Sequence, residues 1–286
     1  GNTMTALSSI ISAGGGGGGG SFPTFFLSTS QTWVPPMDGN ICIHVIGAGG
    51  SGSAHHYTYM MPGAAGGYSR LNSTAVTTSD SIVCIVGAGG SRVSGDNWGT
   101  SGGYSRATFS TGPQVSGYGG AGGGLNQPTS AIGGGASGGD VNNYGGNGVQ
   151  YKGGGAVGIT GTGNTGTSHY DPTAHSGDGG DCDVIGDLWS SSLGNIAGGN
   201  GGLGNWSLYG DGDLIAPRNN AQGPFAGGGQ THNKHQSIHY YARGGDAIIG
   251  GGGGQCSSGA YPHTGYQYRA ISGKGGEGLI VIQYIP

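Results

Sequence analysis

Three histidines in the second half of the chain have a spacing that could bind a metal ion. His232, His235 and His239 stand three and four residues apart, which would place them on one face of a helix. A zinc-protease helix also needs a glutamate beside the first histidine, and none lies in this segment. We therefore interpret the segment as a polar loop and predict no metal site there.

An acidic group could bind calcium. Asp178, Asp181 and Asp183 stand close together, but the twelfth position counted from Asp178 is Trp189. An EF-hand loop requires a glutamate there. A non-standard calcium site is the alternative that these residues leave open.

Two glycine motifs resemble catalytic or cofactor-binding signatures. Residues 47–52 match the dinucleotide pattern, but no helical pattern follows and the next acidic residue is Asp80. The nucleophile pattern Gly-x-Ser-x-Gly occurs at 99–103 and 135–139, again with no helix after it. A chain this rich in glycine is expected to match such patterns by chance. We predict no cofactor and no enzymatic activity.

The elements around these residues are dominated by glycine, which supplies 74 of 286 residues. Such a chain should be disordered unless the glycines pack against one another. Charged residues make up 8% and the net charge is −4, so no basic stripe points to nucleic acid. Apolar runs are too short to span a bilayer, and we predict no membrane insertion.

The four cysteines, Cys42, Cys84, Cys182 and Cys256, form no Cys-x-x-Cys pair. This argues against a zinc ribbon or a redox motif. Cys42 and Cys84 stand in apolar strand-like runs, where we interpret them as buried free thiols, while disulfides stay open as an alternative.

Short β-branched runs bounded by glycine predict strands at residues 41–46, 81–86 and 279–284. Helical periodicity is weak, and a short helix is expected only near residues 3–12. We divide the chain into a proximal segment with a seven-glycine linker, 1–32, and one glycine-rich domain, 33–286. Within it, 33–115 and 278–286 form a β-region, and 116–277 form glycine runs with inserts.

A frame is repeated around two unlike inserts. An apolar strand, the sequence Gly-Ala-Gly-Gly-Ser, an insert, and then Gly-Gly-Tyr-Ser-Arg occur at 45–70 and again at 85–106. A constant frame with different inserts is typical of a scaffold that presents variable loops.

The glycine clusters lack the every-third-residue pattern of collagen, but short polyproline-II-like helices are open to them. Such helices would bond laterally to their neighbours, because buried backbone groups need partners. Candidate helices are residues 117–124, 133–139, 198–204 and 250–254. The predicted fold is therefore mostly β and irregular: a β-strand region packed beside a bundle of short polyglycine type II helices, with very little α-helix.

The order of these features resembles the glycine-rich tip domains of bacteriophage tail fibres. The matching features are Thr32-Trp33-Val34-Pro35-Pro36, strands alternating with glycine runs, and the closing apolar strand, over about residues 28–286. The resemblance implies a virion location at a fibre tip, a host receptor (protein or glycan) and the rest of the fibre as partners, and possible trimers. It also implies that Trp33 belongs to the core.

The inserts concentrate aromatic and histidine side chains, which we take as candidate receptor-binding residues because rigid aromatic rings make good anchors. The candidates are His55, His56, Tyr57, Tyr59, Trp98, Tyr170, Trp189, Trp206, Tyr209, His232, His235, His239, Tyr240, Tyr241, Tyr261, Tyr266 and Tyr268. A ring that only covers the end of the glycine bundle is the alternative for any one of them.

Two other classes of protein remain as alternatives. A purely structural glycine-rich filament or surface protein should have regular inserts, whereas these are irregular and aromatic. The extracellular module of a receptor kinase should have paired cysteines, and the sequence shows no sign of pairing.

Overall fold

A computed structural model gives the fold of this chain, which contains strands and extended glycine runs but no helix in its described part. The described residues are 22–55, 61–124, 130–150, 152–171, 174–184, 186–189, 196–198, 205–207, 221–222, 225–228, 231–233, 239–254, 256–258 and 267–286.

Two antiparallel sheets form the β-region. The first has the order β1-β20-β3-β5-β10, and the second has the order β2-β6-β7-β8-β9. The strands of the first sheet are β1 (Thr24–Leu27), β3 (Gly39–Ile46), β5 (Tyr68–Val76), β10 (Val141–Asn143) and β20 (Leu279–Ile285). Those of the second are β2 (Gln31–Trp33), β6 (Ile82–Ile85), β7 (Ser105–Phe109), β8 (Gln114–Gly117) and β9 (Ala136–Ser137).

The three strands predicted from apolar runs are confirmed as β3, β6 and β20. Alternate residues of β3 and β20 face the second sheet, and Trp33 lies in this core at 7% exposure, as predicted. Its ring centroid lies 5.4 Å from that of Phe25 and 6.4 Å from that of Tyr284. Aromatic rings in edge contact at this range add to the stability that burial alone gives.

The first sheet is buried on its other face as well. Ile46, Tyr68 and Val281 pack there against Val157 and Phe225, which come from the glycine-rich part of the chain. A strand covered on both faces needs apolar residues at successive positions. This explains why the runs in β3 and β20 are continuous rather than alternating.

The repeated frame builds one hairpin-like unit in each sheet. In the first copy β3 leads through a glycine run and an insert to β5, and in the second copy β6 leads to β7. The copies differ at the tyrosine. Tyr68 is fully buried, whereas Tyr104 is exposed and lies under the Arg106 guanidinium, 4.7 Å from its ring centroid.

Beyond the sheets, glycine runs lie side by side, and their backbone bonds follow a three-residue period. In residues 47–53, the first, fourth and seventh N–H groups donate to residues 61–67. The second and fifth donate to residues 99–103, and the third and sixth donate to residues 273–276. All seven bonds are 2.9–3.2 Å long, so each backbone direction serves a different neighbour.

Carbonyl groups of the same run point to three further segments. The carbonyls of Ala48 and Ser51 accept from residues 120–123, that of Gly49 accepts from Gly90, and that of Gly50 accepts from Gly253. Residues 47–53 are thus bonded to six surrounding segments. The buried backbone finds the partners that it requires without forming a sheet at this place.

Close approach of these backbones explains the glycines. A Cβ added at Gly49 would lie 1.8 Å from the carbonyl oxygen of Gly251, and one at Gly63 would lie 2.0 Å from that of Gly50. Where space remains, alanine is used, as at the fully buried Ala48, Ala64 and Ala65. We call this part of the molecule the glycine block.

Both described ends of the chain lie at one end of the molecule. β20 follows the last glycine run and leads away from the block, and β1 pairs with it antiparallel, so Thr24 lies opposite Gln283. The Pro23 carbonyl accepts the N–H of Tyr284. Residue 22 therefore lies at the end of the β-region that faces away from the glycine block.

Two predictions about the block need correction. Residues 133–139 were expected to form one glycine helix, but 136–137 belong to β9, because they pair with Ser116 and Gly117. The inserts were expected to be loops, yet eleven of the strands that the structure describes lie wholly within residues 116–277. Of the described residues, none lies in a helix long and apolar enough to cross a membrane.

Candidate functional site at the insert end

Four short strands leave the glycine block in the same direction and pair with one another. They are β15 (Asn205–Ser207), β16 (Thr231–Asn233), β18 (Cys256–Ser258) and β4 (Ala54–His55), paired in that order, and all pairs are parallel. Each follows a glycine-rich stretch of sequence. Parallel neighbouring runs bring their following residues side by side, so the inserts form a sheet where they emerge.

We call this region the insert end, defined as these four strands, residues 91–98, β17 (His239–Arg243) and β19 (Gln267–Ile271). It brings several predicted residues together. Trp206 pairs with His232, His232 with Ser257, and Ser257 with His55. These four positions therefore form one row across the sheet.

β17 and β19 add a second parallel pair, which contacts β18. Its register places His239 opposite Gln267, Tyr240 opposite Tyr268, and Tyr241 opposite Arg269. Tyr240 and Tyr268 were predicted from insert composition alone. The pairing places them opposite each other on adjacent strands. Facing positions in a sheet lie about 5 Å apart.

Residues 91–98 are fixed to this region by their backbone. Ala54 and Asn97 exchange two N–H···O bonds of 3.0 and 3.1 Å, and the Val93 carbonyl accepts from Ser272 at 2.9 Å. Val93 also packs on the buried Ala54 and Ala270. The segment is therefore held on both sides rather than hanging from the block.

Trp98 lies on this fixed segment and is 60% exposed. A large apolar ring held in solvent on a rigid backbone has little conformational entropy left to lose on binding. Nearby, the His55 Nε2 atom lies 3.9 Å from the Asp96 carboxylate. Ring, imidazole and carboxylate groups thus occur together on this side of the insert end.

Charged residues tie the edge of the insert end to the glycine runs. Arg92 contacts Asp246 through two guanidinium nitrogens, and the same carboxylate accepts the backbone N–H of Lys274 at 2.9 Å. Lys274 contacts Glu277, whose other oxygen accepts the N–H of Gly89 at 2.7 Å. These few charges, among them Glu277, the only glutamate of the chain, hold adjacent runs together.

Two other predicted residues lie on hairpins outside the four-stranded sheet. Tyr170 belongs to β11 (Thr167–Asp171), which pairs with β12 (Ala174–Asp178), and β12 contacts β15 and β16. Trp189 ends β13 (Gly186–Trp189), which pairs with β14 (Ile196–Gly198). β13 begins two residues after Val184, which packs beside the first sheet, so this hairpin leaves from the β-region side and not from the insert end.

Seven predicted residues lie outside the described residues: His56, Tyr57, Tyr59, Tyr209, His235, Tyr261 and Tyr266. The segment that was interpreted as a polar loop contains His232 in β16 and His239 at the start of β17, and residues 234–238 between them lie outside the described residues. Within the described ranges, no group of three or more His, Cys, Asp or Glu side chains is arranged to hold a metal ion.

Asp183, the last member of the acidic group, has a structural contact instead. Its carboxylate accepts the N–H groups of Ile159, Thr160 and Gly161 and the Thr160 hydroxyl, at 2.7–3.2 Å. Partial burial raises its pKa, but these four donors outweigh burial and lower the pKa overall. The side chain closes the turn between two glycine runs.

Sequence reasoning missed a buried histidine network on the first sheet. His44 is 5% exposed; its Nε2 lies 2.9 Å from Gln283 Oε1, and its Nδ1 lies 2.8 Å from the Tyr68 hydroxyl. Nε2 can donate to the amide oxygen while Nδ1 accepts from the hydroxyl, which fits a neutral ring. The sequence offered one signal for this network, since His44 is a polar residue within the apolar run 41–46.

The comparisons with known proteins give one family. A family model described as a glycine-rich domain matches residues 27–285. The chain belongs to the glycine-rich domain family. The matched range begins at the last residue of β1 and includes the other described strands and the described glycine runs. Among curated proteins, none matches this chain.

Proposed function

We propose that this glycine-rich domain is the adhesive tip of a bacteriophage tail fibre and that its insert end binds a receptor on the host surface. The glycine block is the scaffold, and residues 1–32 join the domain to the fibre. In this proposal the protein has no catalytic step and needs no cofactor. If the fibre is a trimer, three such domains lie at its tip.

We also propose that the runs of the block are polyglycine type II helices. That conformation has three residues per turn and no internal hydrogen bonds. The three-residue period of the donors in residues 47–53, and their six bonded neighbours, support this assignment. A bundle of this kind is stiff because every run is bonded laterally to others.

One observation carries the functional proposal: the described start of the chain and the insert end lie on opposite sides of the glycine block. Phe22 and β1 lie at the far end of the β-region, whereas β4, β15, β16 and β18 follow the glycine runs outward. A tip joined to its fibre through the first residues would then direct the inserts away from the fibre. A purely structural filament protein has no need of this polarity.

The inserts are irregular and rich in aromatic residues, which favours a role in recognition over a purely structural role. Trp98 is exposed on a fixed backbone, and the row from Trp206 to His55 joins residues from four separate inserts. Each insert can change without changing the bonds within the block. Several fibres on one particle would multiply a modest affinity.

The proposal predicts that Trp98→Ala weakens adsorption to host cells about tenfold or more, since truncation of a central aromatic anchor costs at least that factor. Binding of labelled protein to a panel of bacterial strains measures the effect on each strain that the parent protein binds.

Trp189→Ala is the matched control, because β13 leaves from the β-region side, and it should bind like the parent. Replacement of 231–241 by a Gly/Ser linker tests a second insert. If both insert variants adsorb as well as the parent, the structural alternative replaces the adhesin proposal.

A further inference from the structure

Three tyrosines lie side by side, at the same height along adjacent glycine runs. They are on a side surface of the glycine block, which we call its flank. Gly102 donates to Gly120 in an antiparallel pair of runs, which places Tyr104 level with Tyr118. Tyr118 itself donates to Gly135. Residues 131–135 pair antiparallel with 145–148 on the next side, which places Gly135 level with Tyr144.

The row Tyr104, Tyr118, Gly135, Tyr144 therefore runs across the flank. Hydrogen-bonded neighbouring backbones lie about 5 Å apart, so the row is roughly 15 Å long. We call it the tyrosine row. It is separate from the insert end, because all three tyrosines lie at the ends of their runs nearest the β-region.

All three rings face solvent while one side of each is supported. Their exposures are 42% for Tyr104, 41% for Tyr118 and 60% for Tyr144. The Tyr144 ring lies over Gly135, where an added Cβ would be 3.2 Å from its Cε1 atom. Arg106 covers Tyr104, and the Tyr118 hydroxyl lies 3.2 Å from the Ser137 hydroxyl.

The row is bordered by amide and hydroxyl groups. Asn147 accepts the N–H of Gly133 through its Oδ1 atom at 2.8 Å, and Ser101 accepts that of Gly122 at 3.3 Å. Arg106 lies over Tyr104 and donates to Ser116 at 3.1 Å. The Arg106 guanidinium is already engaged with the Tyr104 ring and the Ser116 hydroxyl, and the other bordering groups are uncharged. A ligand with apolar ring faces and many hydroxyl groups therefore matches this border.

The available area argues against a second copy of the chain. A side chain of this size buries about 150–250 Å² when fully covered, so three half-exposed rings offer roughly 300 Å². Lasting protein interfaces bury about 800 Å² on each partner. A narrow row of rings is better suited to an extended chain of sugar rings.

We propose that the tyrosine row is a second binding site and that it takes an uncharged polysaccharide. The three rings stack against successive sugar faces, while the bordering amide and hydroxyl groups bond to sugar hydroxyls. This site is independent of the receptor site at the insert end. It would hold the protein to a surface polymer while the inserts engage another component.

Native affinity electrophoresis in gels containing dextran, amylose or mannan tests the proposal. We expect retardation by at least one of these neutral polymers. Tyr118→Ala combined with Tyr144→Ala should weaken that binding tenfold or more, whereas Trp98→Ala should leave it unchanged. Alginate, a charged polymer, should retard the parent protein less than the neutral polymer does.

Three outcomes would overturn the proposal. One is no retardation by any of the neutral polymers, and another is retardation that survives the double substitution although circular dichroism shows a folded variant. The third is self-association in sedimentation that the double substitution abolishes, because the row would then be an interface between copies. None of these depends on cell adsorption, so the proposal at the insert end would be unaffected.

Discussion

Gly49→Ala should destabilise the protein by about 3 kcal/mol or more, which lowers Tm by roughly 10 °C. The added Cβ would lie 1.8 Å from the Gly251 carbonyl oxygen and 2.4 Å from its carbon. Both atoms belong to backbone that is bonded to other runs, so neither can move alone. The gain in helix or strand propensity that alanine usually brings cannot offset this contact.

Two further alanine variants serve as controls, because their added Cβ atoms have more space. An added Cβ at Gly124 meets nothing within 4 Å, and one at Gly103 lies 3.1 Å from its nearest atoms. Gly124→Ala should stay within about 0.5 kcal/mol of the parent, and Gly103→Ala should fall between the other two. Thermal unfolding of all three proteins checks the order. Equal stabilities would mean that the runs are not packed as described.

The second large effect concerns pH. Burial lowers the pKa of His44, the bond to Gln283 raises it and the nearby Arg70 lowers it, so that the pKa in the folded protein is about 4. Since the unfolded chain binds this proton near its usual pKa of about 6.5, the unfolded state holds more protons between pH 6.5 and 4. Stability is therefore full above pH 6.5 and falls as pH drops to 4, by about 3 kcal/mol in all.

His44→Gln isolates this contribution, because glutamine keeps a polar group in the network but does not titrate. Chemical denaturation at pH 8, where the histidine is neutral in both states, gives the pH-independent change in the free energy of unfolding that the substitution causes. From pH 6.5 to 4 the parent should lose about 3 kcal/mol more than the variant. The lowered pKa of Asp183 affects stability only at lower pH, near the usual range of a carboxyl group. Parallel curves for the two proteins would show that His44 is not the cause.

Much of the β-region could be predicted from the sequence. β3, β6 and β20 are apolar, β-branched runs that end in glycine or begin after it, and this local pattern is enough to identify them. Trp33 could be assigned to the core because it stands among the residues of the resemblance. The pairing of β20 with both β1 and β3 could not be predicted, since it joins residues more than 200 positions apart.

The short strands of the insert end could not be predicted either. β4, β16 and β18 are two or three residues long and have no alternating pattern. They pair because the preceding runs emerge in parallel, and that direction is set by tertiary packing. The concentration of aromatic residues in the inserts indicated a surface. That concentration did not show that Trp206, His232 and His55 share a row across the sheet. Nor did it show that Trp189 lies on a hairpin at the β-region side.

Local sequence also failed at residues whose partners are distant. Asp183 was considered as part of a calcium group, yet its bonds to 159–161 depend on how two glycine runs turn. Tyr104, Tyr118 and Tyr144 lie on separate runs, and their common level follows only from backbone register. Composition reveals the presence of such residues, whereas register decides which of them act together.

The central claim is that the insert end, and not the opposite end, contacts the host. Hydrogen exchange of the protein bound to susceptible cells, compared with free protein, tests it directly. We predict protection in β4, residues 91–98 and β15 to β19, with exchange in β1 and in the turn at 77–81 unchanged. Protection confined to β1 and that turn, with none at the insert end, would contradict the account.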